Sequence, residues 1–259
     1  MGRANLQFSP GSTPSTFDLV VADPEGYSFC MPTAILIDGG FFLRRFPSCY
    51  PAKDKTDAKV VARTAFEMAL SHLEEKGLHR AAHHELYRIF FYDCPPLLKK
   101  AHYPKTRFAI DFSKTAQSVF RLALHDELRK QRKVALRLGH LLEHTEWRLR
   151  DGRLKQLLDG SIDFKSLVDD DFEYATIQKG VDMRIGLDIA SLSFKRQVDQ
   201  IVLVAGDSDF VPAAKLARRE GIDFVLDPLW SVIHASLHEH VDGVRSTCPK
   251  PVHLSKPTP

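Results

Sequence analysis

Residues 201–210 read Ile201-Val202-Leu203-Val204-Ala205-Gly206-Asp207-Ser208-Asp209-Phe210, an apolar run that breaks without transition into two carboxylates one residue apart. Continuous apolar residues suit a strand covered on both faces, whereas alternation would suit a strand with one wet face. Ala34-Ile35-Leu36-Ile37 and Tyr87-Arg88-Ile89-Phe90-Phe91-Tyr92 read the same way, with weaker candidates at Val134–Leu138 and Phe224–Leu226. Helical spacing fills the gaps: Ala58 to Lys76, closed by Gly77 as a C-cap, then Ser113 to Lys133, Val181 to Gln197, and Pro212 to Arg219. Strands that alternate with helices of this length predict an α/β fold, a doubly wound and mostly parallel sheet with helices on both faces. Ligands of such sheets bind beyond the carboxyl ends of the strands. The stretch from Glu146 to Gln178 reads as a hairpin or an inserted loop.

At that edge the carboxylates accumulate. The first strand ends in Asp38, followed by Gly39-Gly40; Asp207 and Asp209 occupy the equivalent end of a later strand; and QKGVDM opens a helix with Asp182 in its first turn. Each has a plain structural reading alone: Asp209 as a helix N-cap, Asp182 as a complement to a helix dipole. Together, ionised carboxylates in a crevice repel one another and persist mainly where a divalent cation neutralises them, and all-oxygen ligation selects Mg²⁺ or Mn²⁺. Asp38, Asp182, Asp207 and Asp209 are therefore the expected metal ligands and catalytic residues. Asp188 falls on the sheet-facing side of its helix, about 9 Å along the axis from Asp182 at ~1.5 Å rise per residue. It reads either as a structural or supporting carboxylate in need of a partner or as a direct member of the site. Ser208 would orient a water or phosphate oxygen, or cap a helix.

The chain has 259 residues, 44% hydrophobic and 27% charged, with a net charge of +3. That is ordinary globular composition and too little charge to argue a polyanion partner by itself. No stretch is apolar for long enough to span a membrane, and the start has no signal-like apolar segment, so the expectation is a cytoplasmic protein. Cys30, Cys49, Cys94 and Cys248 lack a CxxC pair, which argues against a thiol-rich zinc site and a disulfide framework. Residues 1–32 and 246–259, rich in Pro, Ser and Thr, read as flexible tails around one domain at 33–245. Absence of GxGxxG after the first strand argues against a dinucleotide-binding enzyme. Lys99, Lys100, Tyr103, Lys105 and Arg107 interleave basic and aromatic side chains as single-strand binding surfaces do, and Arg44, Arg45 and Lys179 could join them in holding phosphates.

The stretches ILIDGGFF (35–42), FFYDCPPL (90–97), LRLG (136–139), QKGVDMRIGLDIASL (178–192) and VLVAGDSDFVPAAKLARREGIDFVLDPL (202–229) resemble NYN-domain proteins of the LabA-like group, within the PIN-like metal-dependent nucleases. The resemblance implies a PIN-like fold, Mg²⁺ or Mn²⁺, and hydrolysis of single-stranded RNA, with the acidic site at Asp38, Asp182, Asp207 and Asp209. Members often carry Asn shortly after the first Asp; here Gly39-Gly40-Phe41-Phe42 follows, so that polar support is missing. A catalytically weak RNA-binding or regulatory module is the alternative reading, and homo-oligomerisation stays open.

Overall fold

The structure, a computed structural model, describes residues 30–74, 83–142 and 146–251. Most of the expected N-terminal tail and the expected C-cap at Gly77 lie outside these residues. β1 (Cys30–Asp38) leads directly into α1 (Gly39–Cys49), and α2 (Ala58–Leu70) precedes β2 (His83–Asp93). A short antiparallel pair, β3 (Lys100–His102) and β4 (Ala109–Asp111), comes before α3 (Ala116–Lys130) and β5 (Val134–Leu138). β6 (His140–Leu141), β7 (Trp147–Leu149), α4 (Asp151–Leu158), β8 (Phe172–Tyr174) and β9 (Gln178–Lys179) follow, with β6 paired to β9 and β7 to β8, both antiparallel. The chain then runs through α5 (Val181–Phe194), β10 (Gln200–Val204), α6 (Val211–Arg219), β11 (Asp223–Asp227), α7 (Ala235–His238) and β12 (Gly243–Val244).

Six strands form one parallel sheet in the order β12-β11-β10-β1-β2-β5. The chain winds outward from β1 to β5, then returns to lay β10 against the other side of β1 and winds outward again. The reversal of direction falls between β1 and β10, and this is where doubly wound sheets open a crevice for ligands. Alternate residues of each strand feed opposite faces. Ile35, Ile37, Phe91 and Val202 pack with α1, α2 and α3, while Leu36, Phe90, Ile201 and Leu203 pack with α5 and α6. Every residue of β10 is buried, as the unbroken apolar run requires.

α1 is the element that strand-and-helix periodicity does not announce, because it opens on two glycines and contains Pro47. Glycine in a helix costs about 1 kcal/mol relative to alanine. Phe41, Phe42 and Phe46 are 6%, 0% and 1% exposed, and burying each stabilises by roughly 1.5–3 kcal/mol, so packing outweighs propensity. The stretch at 146–178 holds the antiparallel β7–β8 pair with α4 between its strands and ends at the start of β9, so of the two readings the paired strands are found, joined by a helix rather than a tight turn. Just past the expected boundary at Arg245, Cys248 is buried, its carbonyl accepts from Trp230 Nε1 at 2.8 Å, and the Ser246 hydroxyl donates to Asp227 at 2.8 Å. These residues are packed rather than loose. Among the described residues no helix is long and apolar enough to cross a membrane.

Candidate active site

Asp38 ends β1 in extended conformation and caps α1, its Oδ1 accepting from the Phe41 N–H at 3.0 Å. The cap fixes the carboxyl at the mouth of the central strand. On β10 the chain leaves the sheet through Gly206, where a Cβ would fall 2.5 Å from the Phe41 ring. A side chain there would push apart the two strand ends that carry Asp38 and Asp207. Asp207 is itself the cap of the short turn Ser208–Phe210, accepting from the Asp209 N–H at 3.0 Å, so the capping role weighed for Asp209 belongs to Asp207. The Asp209 side chain is left exposed. Asp182 enters through Gly180, whose left-handed φ of 81° turns the chain from β9 into α5 and sets Asp182 in the first turn.

Electrostatics ties these groups into one field. Burial pushes the Asp38 carboxyl above its ordinary range and the Asp182 charge adds to this, against the Phe41 and Gly40 N–H groups and the Arg44 charge. Asp182 is raised as well, by burial first and then by the charges of Asp207 and Asp209. Among the described residues, none of Asp38, Asp182, Asp207 and Asp209 forms an ion pair. Asp38, Asp207 and Ser208 line an open cleft together with Arg44, Arg45 and the loop Ser231–Ala235, which includes His234. Asp182 and Asp209 stand outside that lining. Among the described residues, no three or more His, Cys, Asp or Glu side chains are arranged to grip an ion by themselves.

The same sheet edge carries carboxylates of the opposite kind. Asp93, at the end of β2, is 2% exposed; it pairs with the Arg121 guanidinium and with His125 Nε2 at 2.8 Å. Burial alone would raise its pKa, but the His125 hydrogen bond and the Arg121 charge outweigh burial and hold it below the usual carboxylate range. Asp227, at the end of β11, is fully buried against His72 Nε2 at 2.9 Å, the Ser246 hydroxyl and the Leu229 N–H. Neither carries a periodic signal, since His125 and His72 lie 32 and 155 residues away along the chain. Asp188 has the partners its position demanded: the Tyr92 hydroxyl donates to it at 2.8 Å and Arg137 Nε approaches to 3.2 Å. Burial and then the Asp188 charge push the Tyr92 phenol up.

The basic residues fall into two groups. Arg44 is exposed at the cleft, whereas Arg45 donates to the Leu229 carbonyl at 3.2 and 2.8 Å and so braces the loop beyond β11. Tyr103 lies 5.2 Å, ring to ring, from Trp147, within a cluster that includes Phe112 and Tyr174. Lys105 donates to the Phe164 carbonyl and lies over that ring, and its N–H and Thr106 bind Asp169. Tyr103 and Lys105 thus anchor the β3–β4 hairpin to the insertion rather than standing free for a nucleic acid. Lys99, Lys100, Arg107 and Lys179 are exposed. The cleft wall at Ser231–Ala235, with His234, is the part that motif reading missed, because nothing in its local pattern places it opposite Asp38.

Comparison with curated proteins gives no match. Among solved structures, the chain is similar to a protein of unknown function from Vibrio parahaemolyticus, at 16% identity over 85% of this chain and 95% of that one, with a TM-score of 0.41. Residues 123–231, which carry Asp182, Asp207 and Asp209 but not Asp38, match the family model of the NYN domain.

Proposed function

We propose that the chain is a nuclease that hydrolyses phosphodiester bonds of single-stranded RNA at the edge formed by Asp38, Asp182, Asp207 and Asp209. One observation carries this reading. At an edge where Asp93 and Asp227 are each closed off by a histidine, these carboxylates lie within one another's field and, among the described residues, form no ion pair, the Arg44 charge bearing on Asp38 without pairing with it, at the point where the sheet reverses direction. The NYN-domain match over the segment that bears Asp182, Asp207 and Asp209 supports nuclease chemistry.

The donor set is carboxylate oxygen, which suits Mg²⁺ or Mn²⁺. Mg²⁺ is usually held by one or two carboxylates plus waters and the substrate's own phosphate, and Asp38 and Asp207 supply two carboxylates at the cleft. Asp38 and Asp207 are the residues that would hold the ion, since both line the cleft, with Asp182 and Asp209 adding negative charge beside them. Such an ion supplies an activated water and offsets the charge that builds on the phosphorus-bound oxygens. The residues of the chain then position and hold. Phe41 N–H keeps the Asp38 carboxyl in place, Asp209 N–H does the same for Asp207, and Arg44 binds a phosphate oxygen at the cleft. No protein nucleophile is required. Lys99, Lys100, Arg107 and Lys179 serve the backbone further along the strand.

Titration of Mn²⁺ against a labelled single-stranded RNA tests the reading. Cleavage should appear with Mn²⁺, vanish with EDTA, and fall by about a thousandfold in Asp38→Asn and in Asp207→Asn, equivalent to ~4 kcal/mol of transition-state stabilisation. RNA binding without cleavage at any Mn²⁺ concentration would instead make the chain an RNA-binding module, and neither binding nor cleavage would remove RNA as its substrate.

A further inference from the structure

α5 is apolar on two sides. Ile185, Ile189 and Leu192 are buried against the sheet, yet Met183, Leu187 and Phe194 stand 71%, 63% and 62% exposed on the outer side. A helix that is apolar all round is normally buried all round, so the outer side calls for a cover. Met183, Leu187, the half-buried Ala190 and Phe194 follow the alternating four-three-four spacing of a helix-pairing seam. A Cβ at Gly186, beside the seam, would meet nothing within 4 Å, so a second helix can approach closely there.

We infer that the cover is α5 of a second copy of this chain, packed antiparallel about a two-fold axis that crosses the seam at the level of Asp188 and Ile189. The seam is its own complement under that operation: Met183 meets Phe194 of the partner subunit, and Leu187 meets Ala190 of the partner subunit, a large side chain against a small one. A two-fold interface must be self-complementary in this way. Charge agrees with it. The N-terminal end of α5 is acidic on balance, with Asp182, Asp207 and Asp209 against Lys179 and Arg184, while the C-terminal end is basic on balance, with Lys195 and Arg196 against Asp199. Antiparallel packing sets the acidic end of each helix against the basic end of the other and aligns the helix dipoles favourably. A parallel pair would bring like ends together. The exposed stripe amounts to a few hundred Å², as interaction patches do, so the interface belongs to the weak class below about 1,200 Å². The dimer is accordingly one whose subunits exchange readily.

Sedimentation equilibrium of the full chain across the micromolar range tests the pairing, alongside far-UV circular dichroism of each variant. The wild type should show a concentration-dependent monomer–dimer equilibrium. Leu187→Glu, at an exposed position, should keep its fold and weaken dimerisation on the order of tenfold or more. Orientation is tested by mixing chains bearing Met183→Cys with chains bearing Phe194→Cys under mild oxidation. A disulfide-linked dimer should form in the mixture and not in either variant alone. A chain that stays monomeric at all concentrations, dimerisation untouched by Leu187→Glu, or a cross-link in the Met183→Cys variant alone would each overturn the inference. These readouts involve neither RNA nor metal, so they stand or fall separately from nuclease activity.

Discussion

β2 and β11 end in aspartates that the fold has closed off, and β1 and β10 lead into aspartates that it has left open. Asp93 is held by Arg121 and His125, and Asp227 by His72, Ser246 and the Leu229 amide, all within the body of the domain. Among the described residues, Asp38 and Asp207 accept only from N–H groups of their own turns; the Asp182 charge bears on Asp38 against that of Arg44, and Asp207 in turn bears on Asp182. All of these carboxylates sit at or just beyond strand ends on one edge, so position does not separate them. Partnering does. It moves Asp93 below the usual carboxylate range and leaves Asp38 and Asp182 above it. The first kind holds the fold together, and Asp38 and Asp207 of the second kind face the open cleft, where the proposed reading sets a divalent ion.

The largest expected effect comes from breaking the closed kind. Asp93→Ala strands a buried His125 and the mostly buried Arg121 charge, and removal of one partner from a buried pair costs about 3–5 kcal/mol. Denaturant unfolding should report a loss of that size, with the midpoint shifted and the slope unchanged. A loss below about 1 kcal/mol would put Asp93 on the same footing as an exposed surface carboxylate and erase the contrast.

Much of this edge was legible in the sequence, and what was not has a physical reason. The unbroken apolar runs gave β1, β2 and β10, because a strand covered on both faces has no polar alternation to maintain. Asp38, Asp182, Asp207 and Asp209 could be chosen because each lies within a few residues of a strand end or helix start. Asp93 and Asp227 occupy equivalent positions, but their roles depend on histidines from α3 and from the turn after α2, contacts no local pattern encodes. The same limit applies to Lys99–Phe108. Interleaved basic and aromatic residues describe a hairpin docked on Trp147, Phe164 and Asp169 as well as they describe a nucleic-acid surface. α1 was hidden for the opposite reason, since its glycines and Pro47 argue locally against a helix that phenylalanine burial enforces.

The pH dependence of stability sharpens the contrast, because Asp93 and Asp38 carry opposite signs. Asp93 titrates lower in the folded chain than in the unfolded one, so its contribution is present above the ordinary 3.8 and is lost as pH falls through the depressed folded value. Asp38 is raised, so folding gains from its protonated form at low pH and loses that gain as pH climbs from 3.8 through the elevated folded value. Unfolding free energies measured from acid to neutral pH should therefore diverge. The deficit of Asp93→Asn relative to wild type grows as pH rises through the acid range, while Asp38→Asn gains on wild type over pH values above 3.8. Parallel curves for wild type and Asp38→Asn would show that the Asp38 carboxyl is not strained by its surroundings.

The smallest expected effect is the most specific. Asp207 is exposed and its cap can be kept by Asn, itself a good capping residue, so Asp207→Asn should cost nothing through the turn at Ser208–Phe210. It removes one of the two charges that push Asp182 upward, and the metal-free fold should become more stable by a few tenths of a kcal/mol, the scale of a like-charge contact near the surface. Adding Mg²⁺ separates this from a simple surface change. An ion that binds only the folded chain stabilises by RT ln(1 + [L]/Kd), about 2.7 kcal/mol at a hundredfold excess over Kd, and the variant should forfeit most of that gain. A melting series of wild type and Asp207→Asn, with EDTA and with Mg²⁺, reads both terms at once. The two curves should cross: the variant melts higher in EDTA and lower in saturating Mg²⁺. Equal Mg²⁺ shifts in the two proteins would mean that Asp207 holds no ion, and would leave it a capping residue like any other.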